Sequence, residues 1–94
     1  MSNGVFVANK YLRDKELNSN EKLVMGYLVL FNKYYYNEEN NLLTNKKVAI
    51  ELGIGEGSVA SILKRLEDKG YIKVKYVYHK KTMIKLGKKV EVLR

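Results

Sequence analysis

No cysteine occurs in the 94 residues, which excludes a disulfide framework and any thiolate metal site. A single histidine, His79, leaves too few ligands for a histidine-cluster metal centre within one chain. No apolar run approaches the roughly 20 residues that a membrane span needs, so no membrane partner is expected. The opening stretch, MSNGVFVANK, has neither the basic n-region nor the long apolar h-region of a secretory signal. The expected compartment is therefore the cytoplasm. Proline is absent, and lysine far outnumbers arginine, a bias that follows AT-rich codons and carries no mechanism. There is no P-loop and no dinucleotide fingerprint. The length allows one small domain, 1–94, with no room for a cofactor domain beside a binding domain.

What is abundant is positive charge. Lys and Arg together number 18 against 10 Asp and Glu, a net charge of +8. The excess is not spread evenly. Residues 1–70 are close to neutral, while 71–94 hold eight basic residues and one acidic one, Glu91. A localised basic surface is the electrostatic footprint of a polyanion partner. The competing explanation is a solubilising charged face.

Hydrophobic spacing orders the chain into an arm, three helices and a hairpin. Residues 1–16 read as an N-terminal arm, partly extended, that packs through Val5, Val7 and Leu12. Asn18 followed by Glu21 is a capping box. After it, Leu23, Val24, Tyr27, Leu28, Leu30 and Phe31 recur at helical spacing, predicting a helix that ends near Tyr34. Residues 35–41, YYNEENN, read as a polar loop. Glu38 and Glu39 there have no base or orienting group beside them and read as a solvated turn. Leu42 and Leu43 form a short apolar stub, and Thr44 is placed to cap a second helix over 45–52. Gly53 stops that helix. A third is expected over 56–69, with Val59, Ile62, Leu63 and Leu66 as its apolar stripe and Gly70 beyond its end.

After Gly70 the period changes to alternation. Ile72, Val74, Tyr76 and Tyr78 fall on one face; Tyr71, Lys73, Lys75, Val77 and His79 fall on the other. HKKT at 79–82 reads as the tip. A return strand is expected over 82–86, with Ile84 and Leu86 on one face, interrupted at Gly87 by a bulge or a further turn. Packing against the first helix is the expected role of Tyr76 and Tyr78.

A helix-turn-helix needs a small residue where its helices meet, a tolerant residue at the sharp turn and branched apolar residues on the second helix. Ala49, Gly53, Val59 and Ile62 supply these in order. The stretch LTNKKVAIELGIGEGSVASILKRLEDKGYI resembles a winged helix-turn-helix DNA-binding domain. The upstream KYLRDKELNSNEKLVMGYL resembles the type found in plasmid and phage replication proteins and plasmid accessory proteins. The resemblance covers about residues 5–86. It implies an α+β fold of three helices plus a C-terminal β-hairpin wing (71–94), with double-stranded DNA as partner. Winged helices also serve as protein-interaction scaffolds, and the basic residues on the wing argue against that use here.

In such domains the helix after the turn enters the major groove with its N-terminal half. That half here offers Glu56, Gly57, Ser58, Ala60 and Ser61. Ser58 and Ser61 are candidates for base or phosphate contacts. The Arg and Asn forks that read guanine and adenine are missing, and Gly55 stands where Ser or Thr often caps. Lys64 and Arg65 suit backbone contacts, or a solvated face with Asp68. The wing holds more: Lys73, Lys75, Lys80, Lys81, Lys85, Lys88 and Lys89 cluster with Tyr71, Tyr76, Tyr78 and His79. Of these, Lys73, Lys75, His79, Lys80, Lys81 and Lys85 are the candidate DNA contacts, with Lys80 and Lys81 at the tip. His79 reads equally as an exposed turn residue. Asn9, Lys10 and Arg13 on the arm are further candidates.

No catalytic set emerges. One histidine at a hairpin tip cannot supply a metal-dependent nicking centre, and the tyrosines have no activating neighbours legible in sequence. The chain is expected not to be an enzyme and to use no metal or cofactor. The expected function is an accessory factor that binds a plasmid or phage origin and marks it for an enzyme such as a relaxase or replication enzyme. The alternatives are a small transcriptional repressor and a basic protein-interaction module without sequence-specific DNA binding. A monomer or weak homodimer is expected, any dimer using the first helix, the arm or the Tyr34–Tyr36 region.

Overall fold

The computed structural model describes residues 7–35 and 42–94. Its elements are α1 (Asn9–Leu12), α2 (Ser19–Tyr35), α3 (Asn45–Leu52), α4 (Glu56–Asp68), β1 (Ile72–Tyr78) and β2 (Lys85–Val92). Helices followed by an antiparallel hairpin make an α+β winged helix-turn-helix. The expected three helices are α2, α3 and α4. The fourth, α1, is one turn of the arm.

The capping box forms as the sequence predicts. The Glu21 backbone N–H donates to Asn18 Oδ1 at 2.8 Å, and the Asn18 N–H donates to Glu21 Oε1 at 2.9 Å. Thr44 caps α3 by accepting from the Lys47 N–H at 3.1 Å. Gly53 ends α3 in the left-handed region, φ +68°, and α4 begins three residues later at Glu56. Gly55 sits at the N-cap of α4 with no side-chain bond to give. The core is built from one stripe of each helix: Val24, Met25 and Leu28 from α2, Val48 and Leu52 from α3, and Val59, Ile62, Leu63 and Leu66 from α4. Met25 joins Val24 where the pattern pointed to Leu23, which is only partly buried.

The arm departs from expectation. Tyr11, not Leu12, is its buried anchor, and Leu12 faces solvent. One helical turn over 9–12 rotates the two neighbours about 100° apart. The Tyr11 hydroxyl donates to the Arg94 carbonyl, tying the arm to the other end of the domain. Val7 packs at the core margin; Val5 lies outside the described residues, as do Glu38, Glu39, Tyr36 and the side chains of Tyr34 and Tyr35.

The hairpin also differs in detail. β2 runs unbroken from Lys85 to Val92, so the tip spans 79–84 rather than 79–82. Gly87 lies inside the strand opposite Val77, and the register shifts between Val77 and Tyr78, leaving Leu86 as the extra residue. The irregularity therefore falls one residue before the glycine. Gly87 serves a different need. A Cβ there would stand 2.7 Å from Leu42 Cβ and 3.2 Å from the Leu43 carbonyl oxygen. The missing side chain lets the stub lie against β2, where Leu43 and Lys88 exchange both backbone hydrogen bonds at 3.0 and 2.9 Å. β2 is thus held on both sides.

Tyr71 was expected on the outer face and is buried. It precedes the first paired residue, so strand alternation does not govern it. Its hydroxyl donates to Asp14, and Arg94 covers its ring at 4.8 Å. That hydrogen bond to a carboxylate, with burial and the carboxylate charge, pushes the phenol pKa up to about 12.

One carboxylate joins the helices. Glu21 is 1% exposed. Beyond its capping role, it takes Arg65 Nε at 3.2 Å and Lys69 Nζ at 3.2 Å, both from the end of α4. Lys69 also donates to the Glu16 carbonyl at 2.6 Å. Burial pushes the Glu21 carboxyl up, but the Asn18 N–H and the Lys69 and Arg65 hydrogen bonds outweigh it and hold it below its ordinary value. A depressed folded pKa means that this stabilisation is present above the unfolded value of 4.5 and is lost as pH falls through the lower folded value. Glu21→Gln is expected to cost about 1–3 kcal/mol at neutral pH, measured by urea unfolding. The cost should shrink on acidification below pH 4.5 as the wild-type carboxyl protonates. Gly87→Ala is expected to lower stability by about 1–3 kcal/mol through overpacking, with faster amide exchange at Leu43 and Lys88 as the local signature.

Candidate nucleic-acid interface

The register sorts the wing lysines onto different surfaces. Cross-strand partners share a face. Ile72, Val74, Tyr76 and Tyr78 face inward with Val92, Val90, Lys88 and Lys85; Lys73, Lys75 and Val77 face outward with Glu91, Lys89 and Gly87. The seven wing lysines therefore form three groups rather than one cluster. Lys73, Lys75 and Lys89 lie on the outer face, Lys80 and Lys81 on the tip, and Lys85 and Lys88 on the inner face.

On the outer face Lys75 stands directly opposite Lys89, with only Lys73 matched to a carboxylate, Glu91. Like charges placed opposite each other destabilise a ladder. An anion laid along that face removes the repulsion.

The tip is a built turn. The His79 N–H donates to the Ile84 carbonyl at 2.8 Å, and the Met83 N–H donates to the His79 carbonyl at 2.9 Å. His79 Nδ1 accepts from the N–H groups of Lys81 and Thr82, both at 3.2 Å. A ring nitrogen that accepts carries no proton, so the turn uses the tautomer with its hydrogen on Nε2. His79 thus has a structural role that the sequence did not reveal, and its Nε2–H remains a donor for a phosphate. Met83 takes a left-handed backbone, φ +59°, uncommon for a side chain of its size. Met83, Ile84 and Leu86 are exposed; the tip projects past the core, so the expected inward face of Ile84 and Leu86 has nothing to pack on among the described residues.

For the same reason Tyr76 and Tyr78 do not pack against α2. They are 45% and 48% exposed. Tyr76 instead carries Lys85 Nζ at 4.0 Å and Lys88 Nζ at 5.5 Å from its ring centre. These are cation–π contacts, which orient the two ammonium groups.

On α4, Val59, Ile62, Leu63 and Leu66 are buried while Ser58, Ser61, Lys64 and Arg65 are exposed. Helical spacing divides the open side in two. Gly57, Ala60 and Lys64 form the stripe nearer the wing. Ser58, Ser61 and Arg65 form the stripe nearer Asn20 of α2, with which they line a shallow hollow. Arg65 is not wholly free for DNA, because its Nε is held by Glu21. This fixes the stem and leaves the rest of the guanidinium, at 48% side-chain exposure, on the surface. On the arm Asn9, Lys10 and Arg13 are exposed, and Lys10 lies 4.9 Å from the Tyr11 ring centre.

Sequence reasoning counted Lys88 in the basic cluster of the wing but did not single it out as a site residue. It reads as one more wing lysine, yet it is 6% exposed and donates to Asn45 Oδ1. Burial, then the neighbouring charge of Lys85, hold its pKa below the ordinary lysine value. The one available signal was its place two residues before Val90 in an alternating strand, which assigns it to the inner face.

His79→Ala is expected to loosen the tip while leaving the three helices intact. Native-state exchange should show the Lys81 and Thr82 amides losing protection, with the global unfolding midpoint nearly unchanged.

No curated protein and no solved structure matches the chain. A family model does: that of the helix-turn-helix domain matches residues 15–72. The matched stretch covers α2, α3, the Gly53 turn and α4, and stops as β1 begins. The hairpin and its lysines lie beyond it. A helix-turn-helix presents its second helix to DNA, so DNA is the partner that this match supports. With its capped α3, left-handed Gly53 and open-faced α4, the chain belongs to the helix-turn-helix domain family.

Proposed function

We propose that this protein is a non-enzymatic, double-stranded DNA-binding accessory factor. It binds a plasmid or phage origin of transfer, replication or partition and marks it for an enzyme such as a relaxase or replication enzyme. One observation carries the DNA reading. The helix after the Gly53 turn is closed on its Val59–Ile62–Leu66 side and open along Ser58, Ser61 and Lys64, beside a lysine-rich hairpin. The origin-marking role rests on the resemblance of KYLRDKELNSNEKLVMGYL to plasmid and phage replication and accessory proteins, and of the chain as a whole to TcpK, an accessory protein of clostridial plasmid conjugation.

In this reading the wing carries much of the contact. The first half of α4 has short or acidic side chains, poor at forked base recognition. Lys80 and Lys81 at the tip follow phosphates or enter a narrow, strongly negative minor groove. Lys73, Lys75 and Lys85 add charge, Ser58, Ser61 and Lys64 position the helix, and the His79 Nε2–H and the Arg65 guanidinium add further donors. The protein works in the cytoplasm as a monomer or weak homodimer. A transcriptional repressor uses the same surfaces; the position of the footprint, at an origin or at a promoter, separates the two.

The test is a salt-titrated binding assay against a library of duplexes from the gene's own replicon, with scrambled DNA of matched A·T content. Six phosphate contacts predict a slope of log K against log salt of roughly −5. Lys80→Ala/Lys81→Ala should make it shallower by about 2. A wild-type slope of only about −1 to −2 would remove the wing from the interface. Equal weak binding to every duplex would instead favour a basic module with a protein partner.

A further inference from the structure

We propose that Lys88 anchors a seat for one backbone phosphate of the DNA, in the groove between β2 and the first turns of α3 and α4. The inference rests on the DNA-binding reading and adds to it a residue and a place.

Lysines are almost never fully buried unless paired. Lys88 is 6% exposed and has no carboxylate partner among the described residues. The buried carboxylate of the domain, Glu21, is taken by Arg65 and Lys69. The ammonium donates to a neutral amide oxygen, Asn45 Oδ1, and rests near the Tyr76 ring. One of its three N–H donors is thus used, and no other protein acceptor appears among the described residues. Lys85, on the same ring, adds a second positive charge. A buried cation with a neutral acceptor and a cationic neighbour is costly for the free protein.

The backbone cannot relieve this. Lys88 is locked to Leu43 through both hydrogen bonds, and its register with Tyr76 turns the side chain inward. An apolar residue would suit the position better, as Val90 does next on the same face. The side chain does reach one open surface. It lines a groove whose opposite wall holds Gly57 and Ala60 of α4. A Cβ at Gly57 would meet nothing within 4 Å, so that wall is open to a bulky group. Glu56 lines the same groove and repels an anion, which confines the seat to the Lys85–Lys88 wall. A phosphate oxygen there supplies the counter-charge that the fold omits. It accepts from the remaining Lys88 donors while Lys85 closes from the rim.

Two substitutions test the seat. Lys88→Met removes a buried charge and keeps the stem. Asn45→Asp leaves Lys88 in place and gives it an internal carboxylate. Both are expected to leave the thermal midpoint equal or higher and to weaken DNA binding about tenfold. In both, the salt slope should become shallower by about one. An unchanged slope in both variants, with wild-type DNA binding intact, overturns the seat and leaves the DNA reading standing. If Lys88→Met does not fold, Asn45→Asp alone decides by the same slope. Absence of DNA binding by the wild type overturns the functional reading and the seat together.

Discussion

The Glu21 carboxylate is the interaction on which the arrangement of helices depends. One of its oxygens closes the first turn of α2 by accepting from Asn18, and the same group takes Lys69 and Arg65 from the last turns of α4. The start of one helix is thereby fixed to the end of another. Apolar packing alone is non-directional and would tolerate some sliding of α4 along α2. A buried charge held by three donor groups does not. Because Gly70 and β1 follow directly from the end of α4, this node also sets where the hairpin leaves the body.

The hairpin is held at its base by separate means. Tyr71 donates to Asp14, the Leu93 N–H reaches the Tyr71 carbonyl at 2.8 Å, and Arg94 covers the Tyr71 ring. Leu43 pairs with Lys88 halfway along. Only the part beyond Lys88 stands clear of the core. That part holds Tyr76, Tyr78, the tip and Lys85. Exposed aromatics and aliphatics among lysines in this region follow from how far the strands extend past their support.

Much of this was legible in the chain. α3 falls on the residues that Thr44 and Gly53 delimit, and the stripe Val59–Ile62–Leu63–Leu66 is buried as its spacing requires. Local chemistry and helical period decide those elements within a few residues. The misreadings share a different cause. Tyr71 is placed by Asp14, 57 residues earlier, and Tyr11 by Arg94, 83 residues later. Gly87 looks like a break in a strand until Leu42 is laid against it. The wing lysines were countable, but their sorting onto two faces and a tip depends on a register shift at Val77/Tyr78 that no turn signature announced. Arg65 and His79 read as free surface groups because their partners, Glu21 and the backbone of the tip, become neighbours only in the fold.

The missing side chain at Gly87 has a mechanical result. With Leu42 pressed against it and Leu43 bonded to the next residue, β2 is clamped between β1 and the stub rather than left as a hinged flap. The spacing between the clamped part of β2 and α4 is then a fixed calliper, set before any partner arrives. A stiff calliper spends little ordering entropy on contact. It also passes the cost of misfit to the object gripped. For a duplex, that object is a groove whose width and ease of distortion vary with sequence. A surface poor in base-reading forks would in this way still discriminate among DNA sites, by the energy each one needs to fit the gap.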